Sequence, residues 1–378
     1  KTKGNRLEGE PNPMHLLLGR TMLLVTRLFL IGAASAEPAL SEWSTRILQD
    51  ARTRYNFTAP YKIGIRQVFP PKHMTDHPPF WMSVPIKFPR GPTINDIVWE
   101  RGRFYVPREE TIAHAMMGPQ CKVAGATKPP IVLDIGGNTG YFSLLAASCG
   151  CRAHAFEPRV DMAAYIELSA RFNGFGPDQL TLHRKLVTHE RNVKFDGWNT
   201  VSDDESLTGH ATKACKKGSK CLKEAAAKDG RMRSFGDQSV AIDELIDEDV
   251  LYMKVDVEGH EPSAMLSAQR LISTRVVRYI LFEVTYYLLG RWTTPKYERL
   301  MVWLSKQGYT LYHVEAGQLL SDPKSSRLRQ STPAEIKAEL RAQTRGCDPK
   351  RTHFCQAGNY FAVHPKAAWP LRPDHLHP

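Results

Sequence analysis

The segment Ile131-Val132-Leu133-Asp134-Ile135-Gly136-Gly137-Asn138-Thr139-Gly140 constrains this chain more than any other. A short apolar run passes into a glycine-rich turn, and Tyr141–Ser148 then reads as a helix. Strand, tight turn and helix in that order open a doubly wound α/β sheet. The chain goes on in the same manner. Ala153–Phe156 reads as a second strand, a helix follows from Asp161 to Phe172, and Leu180–Leu186 reads as a third strand. Val250–Val255 is a fourth, with a helix through Ile272 after it, and Tyr279–Val284 is a fifth. Tyr309–Val314 and Tyr360–Val363 would close the sheet as an end hairpin. The expected fold class is α/β, a Rossmann-like, mostly parallel seven-stranded sheet.

The turn also speaks to chemistry. It lacks the G-x-G-x-x-G of a dinucleotide site and the lysine of a phosphate cradle. Its pattern is acid-x-Gly-x-small-x-Gly, with Asn138 at the small position. Asparagine is the side-chain-bearing residue that best tolerates positive φ. The missing side chains at Gly136 and Gly140 let a ligand lie against the backbone at the strand's carboxyl end. Asp134 there suits a ligand ammonium or an ordered water. The second strand ends in Phe156-Glu157-Pro158, where an acid can accept hydrogen bonds from ribose hydroxyls. Asp134, Gly136, Asn138, Gly140 and Glu157 together predict an S-adenosylmethionine site. The plainer alternative is a structural turn with no ligand.

The fourth strand supplies candidate reactive groups. Lys254 and Asp256 share one face by the period of two, at the end where open α/β sheets bind ligands. Asp256 is expected to orient an acceptor hydroxyl, favour a sulfonium, or act as base. His260 has the unperturbed pKa best suited to a base near neutrality, against a reading as a helix-surface histidine. Glu258 is a ligand candidate, although Glu258 and Glu261 equally suit a helix N-terminus. Glu283 suits either the acceptor site or a structural ion pair. Paired carboxylates could hold Mg²⁺, but no spacing requires it, and no metal is expected. His73 and His77 have helical ligand spacing, yet Pro78 and Pro79 follow at once and break the helix a metal pair would need.

Three blocks resemble the FkbM family of S-adenosylmethionine-dependent methyltransferases. They are Leu133–Gly140, Phe156-Glu157-Pro158 and Met253-Lys254-Val255-Asp256-Val257-Glu258-Gly259-His260-Glu261. Ile242–Leu245, Phe282-Glu283-Val284 and Asn359–Ala362 extend the resemblance, which covers roughly residues 129–364. It implies a class I methyltransferase fold and O-methylation of a hydroxyl, often on a sugar or polyketide. The chain departs from the family in a long N-terminal extension and two basic insertions, so the substrate does not carry over.

Charge sharpens this division. The formal net charge is +12, yet residues 131–208 and 234–321 together carry −7, while 209–233 carries +6 and 322–378 carries +5. The basicity belongs to the additions. It suggests contact with an anionic glycan or membrane surface, whereas a base-stacking module for nucleic acid is not recognisable. The expected acceptor is a glycan or other glycoconjugate hydroxyl. The alternatives are RNA, a small hydroxylated metabolite, or a non-catalytic binding protein that keeps the fold.

Residues 1–40 read as a targeting segment: basic residues, an apolar run at Leu28–Ala36, then Ala34-Ser35-Ala36 before Glu37. A cleaved secretory signal is expected, with a poor signal anchor, an organelle transit peptide or a buried helix as alternatives. The sequon Asn56-Phe57-Thr58 and the close pairs Cys215/Cys221 and Cys347/Cys355 agree with a secretory route. Those pairs are read as local disulfides or else free surface thiols, Cys149 and Cys151 as core, and Cys121 as lacking an obvious partner. Residues 41–128, rich in Pro and aromatics, are expected to form an irregular extension wrapped on a methyltransferase domain at 129–365. Insertions near 209–233 and 322–352 and a tail at 366–378 complete the division.

Overall fold

A computed structural model of the chain describes Gln49 and residues 62–70, 77–86, 94–102, 107–122, 128–190, 239–257, 259–285, 290–314, 328–346 and 356–367. Residues 51–378 cluster as one compact unit. The elements run β1 (Lys62–Val68), β2 (Phe80–Ile86), α1 (Ile94–Arg101), α2 (Pro107–Cys121), β3 (Ile131–Ile135), α3 (Tyr141–Ser148), β4 (Arg152–Phe156), α4 (Val160–Asn173), β5 (Leu180–His183) and β6 (Leu186–Val187). After these come β7 (Ser239–Val240), α5 (Ile242–Leu245), β8 (Val250–Val255), α6 (Glu261–Leu266), α7 (Gln269–Thr274), β9 (Val277–Thr285), α8 (Gly290–Lys306), β10 (Thr310–Val314), β11 (Leu328–Gln330), α9 (Pro333–Gly346) and β12 (Gln356–Val363). Among the described residues no helix is long and apolar enough to cross a membrane.

The main sheet has eight strands in the order β11-β10-β12-β9-β8-β3-β4-β5. The pairs β4–β5, β3–β4, β3–β8 and β8–β9 are parallel, and β12 runs antiparallel to both β9 and β10. β3 and β8 are buried along their whole length, as expected where helices cover both faces of a parallel sheet. Two apolar clusters result, one on each face, with Leu144, Leu145 and Tyr252 in one and Leu133, Met253 and Phe282 in the other. From β3 the chain winds outward through β4 and β5, then returns through β8 to wind the opposite way. The switch point between β3 and β8 opens a crevice at their carboxyl ends.

Four expectations change. The sheet has eight strands, not seven, because β11 adds to the outer edge of β10. β10 and β12 do pair, yet not as a plain hairpin: β11 and α9 lie between them in sequence, and β12 inserts beside β9. The third strand breaks at Arg184-Lys185, and Leu186–Val187 instead pairs in parallel with Ser239–Val240. The helix expected through Ile272 is two short helices, α6 and α7.

The described residues of the extension are regular, not irregular. β1 and β2 pair antiparallel over seven residues each, and α1 and α2 follow. Of the prolines read as breaking regular structure, Pro70 follows β1 and Pro78 and Pro79 precede β2, while Pro85 lies within β2. Ser83 of β2 donates its backbone N–H to Ser169 Oγ (2.8 Å) and its hydroxyl to the Tyr165 carbonyl (2.8 Å), both on α4. Asn173 pairs with both backbone polar groups of Trp81, at 2.7 Å each, as a strand neighbour would. Cys121 at the end of α2 is joined to Cys151 at the start of β4 by a disulfide. Cys121 thus has a partner, and Cys151 is more than a core residue. Cys149 is the free, buried neighbour, with His77 Nδ1 3.3 Å from its sulfur. His73, Asn56, Cys215/Cys221 and Cys347/Cys355 lie outside the described residues.

Candidate active site

The glycine turn is held by backbone geometry before any ligand is considered. Gly136 and Gly137 both donate their N–H to the Phe156 carbonyl, at 2.9 and 3.0 Å, tying the turn to the end of β4. Asn138 has φ 49° and is the positive-φ residue other than glycine among the described residues, as its place in the pattern predicts. The glycines also answer to a packing need within the protein. A Cβ on Gly136 (φ +84°) would lie 1.8 Å from the Asp256 carbonyl oxygen, and one on Gly140 (φ +93°) 2.9 Å from Ile166 Cγ1. Their bare backbones admit the close approach of the Asp256 backbone and of α4.

The two acids of the cofactor pattern sit on either side of this turn. Asp134 is buried, and its Oδ2 accepts from the backbone N–H (3.0 Å) and hydroxyl (2.5 Å) of Ser143 on α3. Its Oδ1 is buried without a hydrogen-bond partner. Burial raises the Asp134 pKa, and the nearby Lys254 ammonium opposes that rise. Glu157 accepts from Asn138 N–H on Oε2 (2.8 Å) and Arg159 N–H on Oε1 (2.8 Å).

Asp256 follows the end of β8, its N–H bonded to the Ile135 carbonyl at 2.9 Å. Lys254 donates to Asp256 Oδ2 at 3.0 Å, with its ammonium 4.6 Å from the centre of the Phe142 ring. The shared face read from the period of two is thus a buried ion pair. Burial alone would lower the Lys254 pKa, but Asp256, Asp134 and Glu109 hold it above its usual value. Glu109, from α2, is also buried, and Asn359 Nδ2 of β12 donates to its Oε1. Tyr252 Oη, on the same strand as Lys254, is buried without a partner.

His260 is the N-cap of α6 and is half-buried, not a surface histidine. Burial lowers its pKa below the usual histidine value, and Lys296 adds to the effect. Glu261 is wholly buried. Its Oε1 accepts from the N–H groups of Val257 and Gly259, at 3.0 Å each, and Tyr297 donates its hydroxyl to Oε2. It is the clasp of the loop between Asp256 and α6, a stronger role than a dipole contact. Glu258 lies outside the described residues. Acidic ligand atoms of Asp256, Glu261 and Glu283 lie within 4.8 Å of one another. Lys254 already occupies Asp256, and N–H and O–H donors occupy both oxygens of Glu261.

The structure brings to the site further residues that the sequence did not single out for it. Asn95 of α1 is fully buried and accepts from Thr139 of the glycine turn at 2.8 Å, leaving its Nδ2 without an acceptor. Glu109 and Tyr297 join the site through contacts between distant parts of the chain, which leave no periodicity or local motif; Asn359 lies in a block of the resemblance and Ser143 one helix beyond Asp134, but neither position by itself signals its partner.

With the site described, its likenesses can be placed. Residues 134–311 match the family described as the Methyltransferase FkbM domain. No curated protein matches the chain. Among solved structures, precorrin-6y C5,15-methyltransferase from Geobacter metallireducens GS-15 is 10% identical, with TM-score 0.28, covering 67% of this chain and 89% of that one. Coclaurine N-methyltransferase, bound to N-methylheliamine and SAH, is 14% identical with TM-score 0.23, covering 72% and 57%. Phosphoethanolamine N-methyltransferase 2 of Haemonchus contortus, in complex with S-adenosyl-L-methionine, is 11% identical with TM-score 0.28, covering 86% and 75%. Likeness at that level carries no argument about the site.

Proposed function

From the premise that residues 134–311 are a methyltransferase FkbM domain, we propose an S-adenosylmethionine-dependent O-methyltransferase acting on a glycan or glycoconjugate hydroxyl. The observation that carries the reading is the arrangement at the switch point. A ring of cofactor-type groups around the glycine turn abuts the Lys254–Asp256 pair at the end of β8. The residues fit the cofactor. Asp134 Oδ1 is buried without a donor and suits an ammonium, and Asn95 Nδ2 is buried without an acceptor and suits a carboxylate, while the Glu157 carboxylate follows the end of β4 where ribose hydroxyls would lie. Bound there, S-adenosylmethionine supplies an electrophilic methyl group on a sulfonium.

The protein's own contribution is positioning and field. Glu261 and Tyr297 fix the loop that carries Asp256, and Lys254 fixes the carboxylate's orientation. Lys254 is faced by Glu109, Asp134 and Asp256, so carboxylates outnumber the cation that they surround. A phosphate-rich polymer would bring further negative charge into that field, which favours a neutral hydroxyl acceptor over RNA. The basic insertions would then serve an anionic membrane or glycan surface outside the site. The Cys121–Cys151 disulfide supports placing the chain in the oxidising secretory pathway.

Calorimetric titration with S-adenosylmethionine tests the cofactor, and absence of binding to the folded chain sinks the reading. Tritiated methyl transfer into neutral glycans, small hydroxylated molecules and RNA tests the acceptor. Labelling confined to RNA overturns the glycan proposal.

A further inference from the structure

Glu109 comes from the extension, outside the domain that the family describes. Helix α2 brings its buried carboxyl to the carboxyl end of the sheet. There Asn359, which pairs with Glu283 in the β9–β12 ladder, donates to Oε1. The charged and titratable groups that face it are Lys254 and Tyr252 of β8, Asp256 beyond its end, and Asp134 of β3, with Glu283 beside Asn359. The other carboxylates here are held by stronger donors: Lys254 holds Asp256 through Oδ2, Ser143 holds Asp134 through Oδ2, two backbone N–H groups hold Glu157, and Glu261 clasps its loop. Glu109 is tied through Oε1 by a neutral amide, and among the described residues no donor reaches Oε2.

We propose that Glu109 is the group that takes the proton of the acceptor hydroxyl, so that the N-terminal extension is part of the catalytic machinery. This rests on the methyltransferase reading above. The acceptor oxygen forms the new bond to the methyl carbon, and the carbon–sulfur bond of the sulfonium donor breaks with its electron pair remaining on sulfur. The hydroxyl proton passes to Oε2 of Glu109. Burial pushes the Glu109 pKa up to about 7, opposed by Lys254 and reinforced by Asp256, which suits proton transfer near neutrality. Asn359 is the positioning residue that aims the carboxyl.

The test uses the full chain, with wild type and E109Q titrated with S-adenosylmethionine at pH 7 in two buffers of different ionisation enthalpy. A sulfonium charge nearby favours the carboxylate, so wild type releases up to roughly half a proton on binding. E109Q is expected to lose that release while its Kd stays within about threefold. Methyl transfer to neutral glycans is then followed from about pH 5 to about pH 9. The wild-type rate rises through about pH 7, E109Q falls by about 100-fold or more and loses the rise, and E109D keeps the rise. Equal proton release in E109Q, or an unchanged pH profile, overturns the proposal. A folded wild type that does not bind S-adenosylmethionine instead overturns the methyltransferase reading itself.

Discussion

Gly136 offers a sharp test of how the site is built, because Gly150 provides its internal control. Both have positive φ, +84° and +93°. Alanine at Gly150 meets nothing within 4 Å, so G150A carries the backbone strain alone, about 1 kcal/mol. Alanine at Gly136 carries the same strain and also places a Cβ 1.8 Å from the Asp256 carbonyl oxygen. Since real contacts of this kind stay beyond 3.0 Å, the end of β8 must retreat by about 1.2 Å. That retreat strains the Asp256 N–H bond to Ile135, and losing a buried hydrogen bond costs about 1–3 kcal/mol. G136A is therefore expected to be less stable than G150A by about 2 kcal/mol or more in urea denaturation. A displacement near 1 Å also costs about 100-fold in rate where reacting groups must align. If the two variants unfold within about 0.5 kcal/mol of each other, the packing explanation of this glycine is wrong.

Other outcomes can be checked independently. Reducing the Cys121–Cys151 disulfide, which closes a separation of 30 residues, is expected to lower stability by about 3.5 kcal/mol, read as a shift in the denaturation midpoint with and without reductant. Asp256→Ala is expected to abolish methyl transfer while changing S-adenosylmethionine affinity by less than about tenfold, or about 1.4 kcal/mol; full activity would remove Asp256 from the mechanism. Burial raises the Glu261 pKa from its ordinary 4.5 to about 7, with Tyr297 and loop N–H donors opposing. Its contribution is therefore fully present below pH 4.5 and lost as pH rises through 7. Glu261→Gln should flatten the fall in stability between those values, and an undiminished fall would place its origin elsewhere.

The sequence revealed local features well. Buried strands β3 and β8 announced themselves as unbroken apolar runs, and Asn138 as the residue suited to positive φ. The Lys254–Asp256 pair followed from the period of two. What was not legible depends on chain segments that meet only in three dimensions. Nothing local marks Gly136 as the place where the Asp256 backbone passes, or pairs Cys121 with Cys151. The extension misled because proline clusters were read as breaking structure throughout, whereas they bound β1 and β2. Glu109 and Asn359, 250 positions apart, are joined by packing alone.

That last contact has a consequence for biosynthesis. β12 is the last strand among the described residues, yet it occupies an interior place between β9 and β10. A nascent chain can complete β9 at Thr285 and must then wait for the strand that begins at Gln356. At about 5–20 residues per second, the intervening stretch takes roughly 4–14 s to synthesise. Throughout that interval β9 presents an unpaired edge, the template on which foreign strands add. Glu109, made early, has no Asn359 to aim it until the same strand arrives. The chain therefore acquires its protected sheet and its aligned carboxyl in a single late event, and a product truncated before Asn359 would have neither.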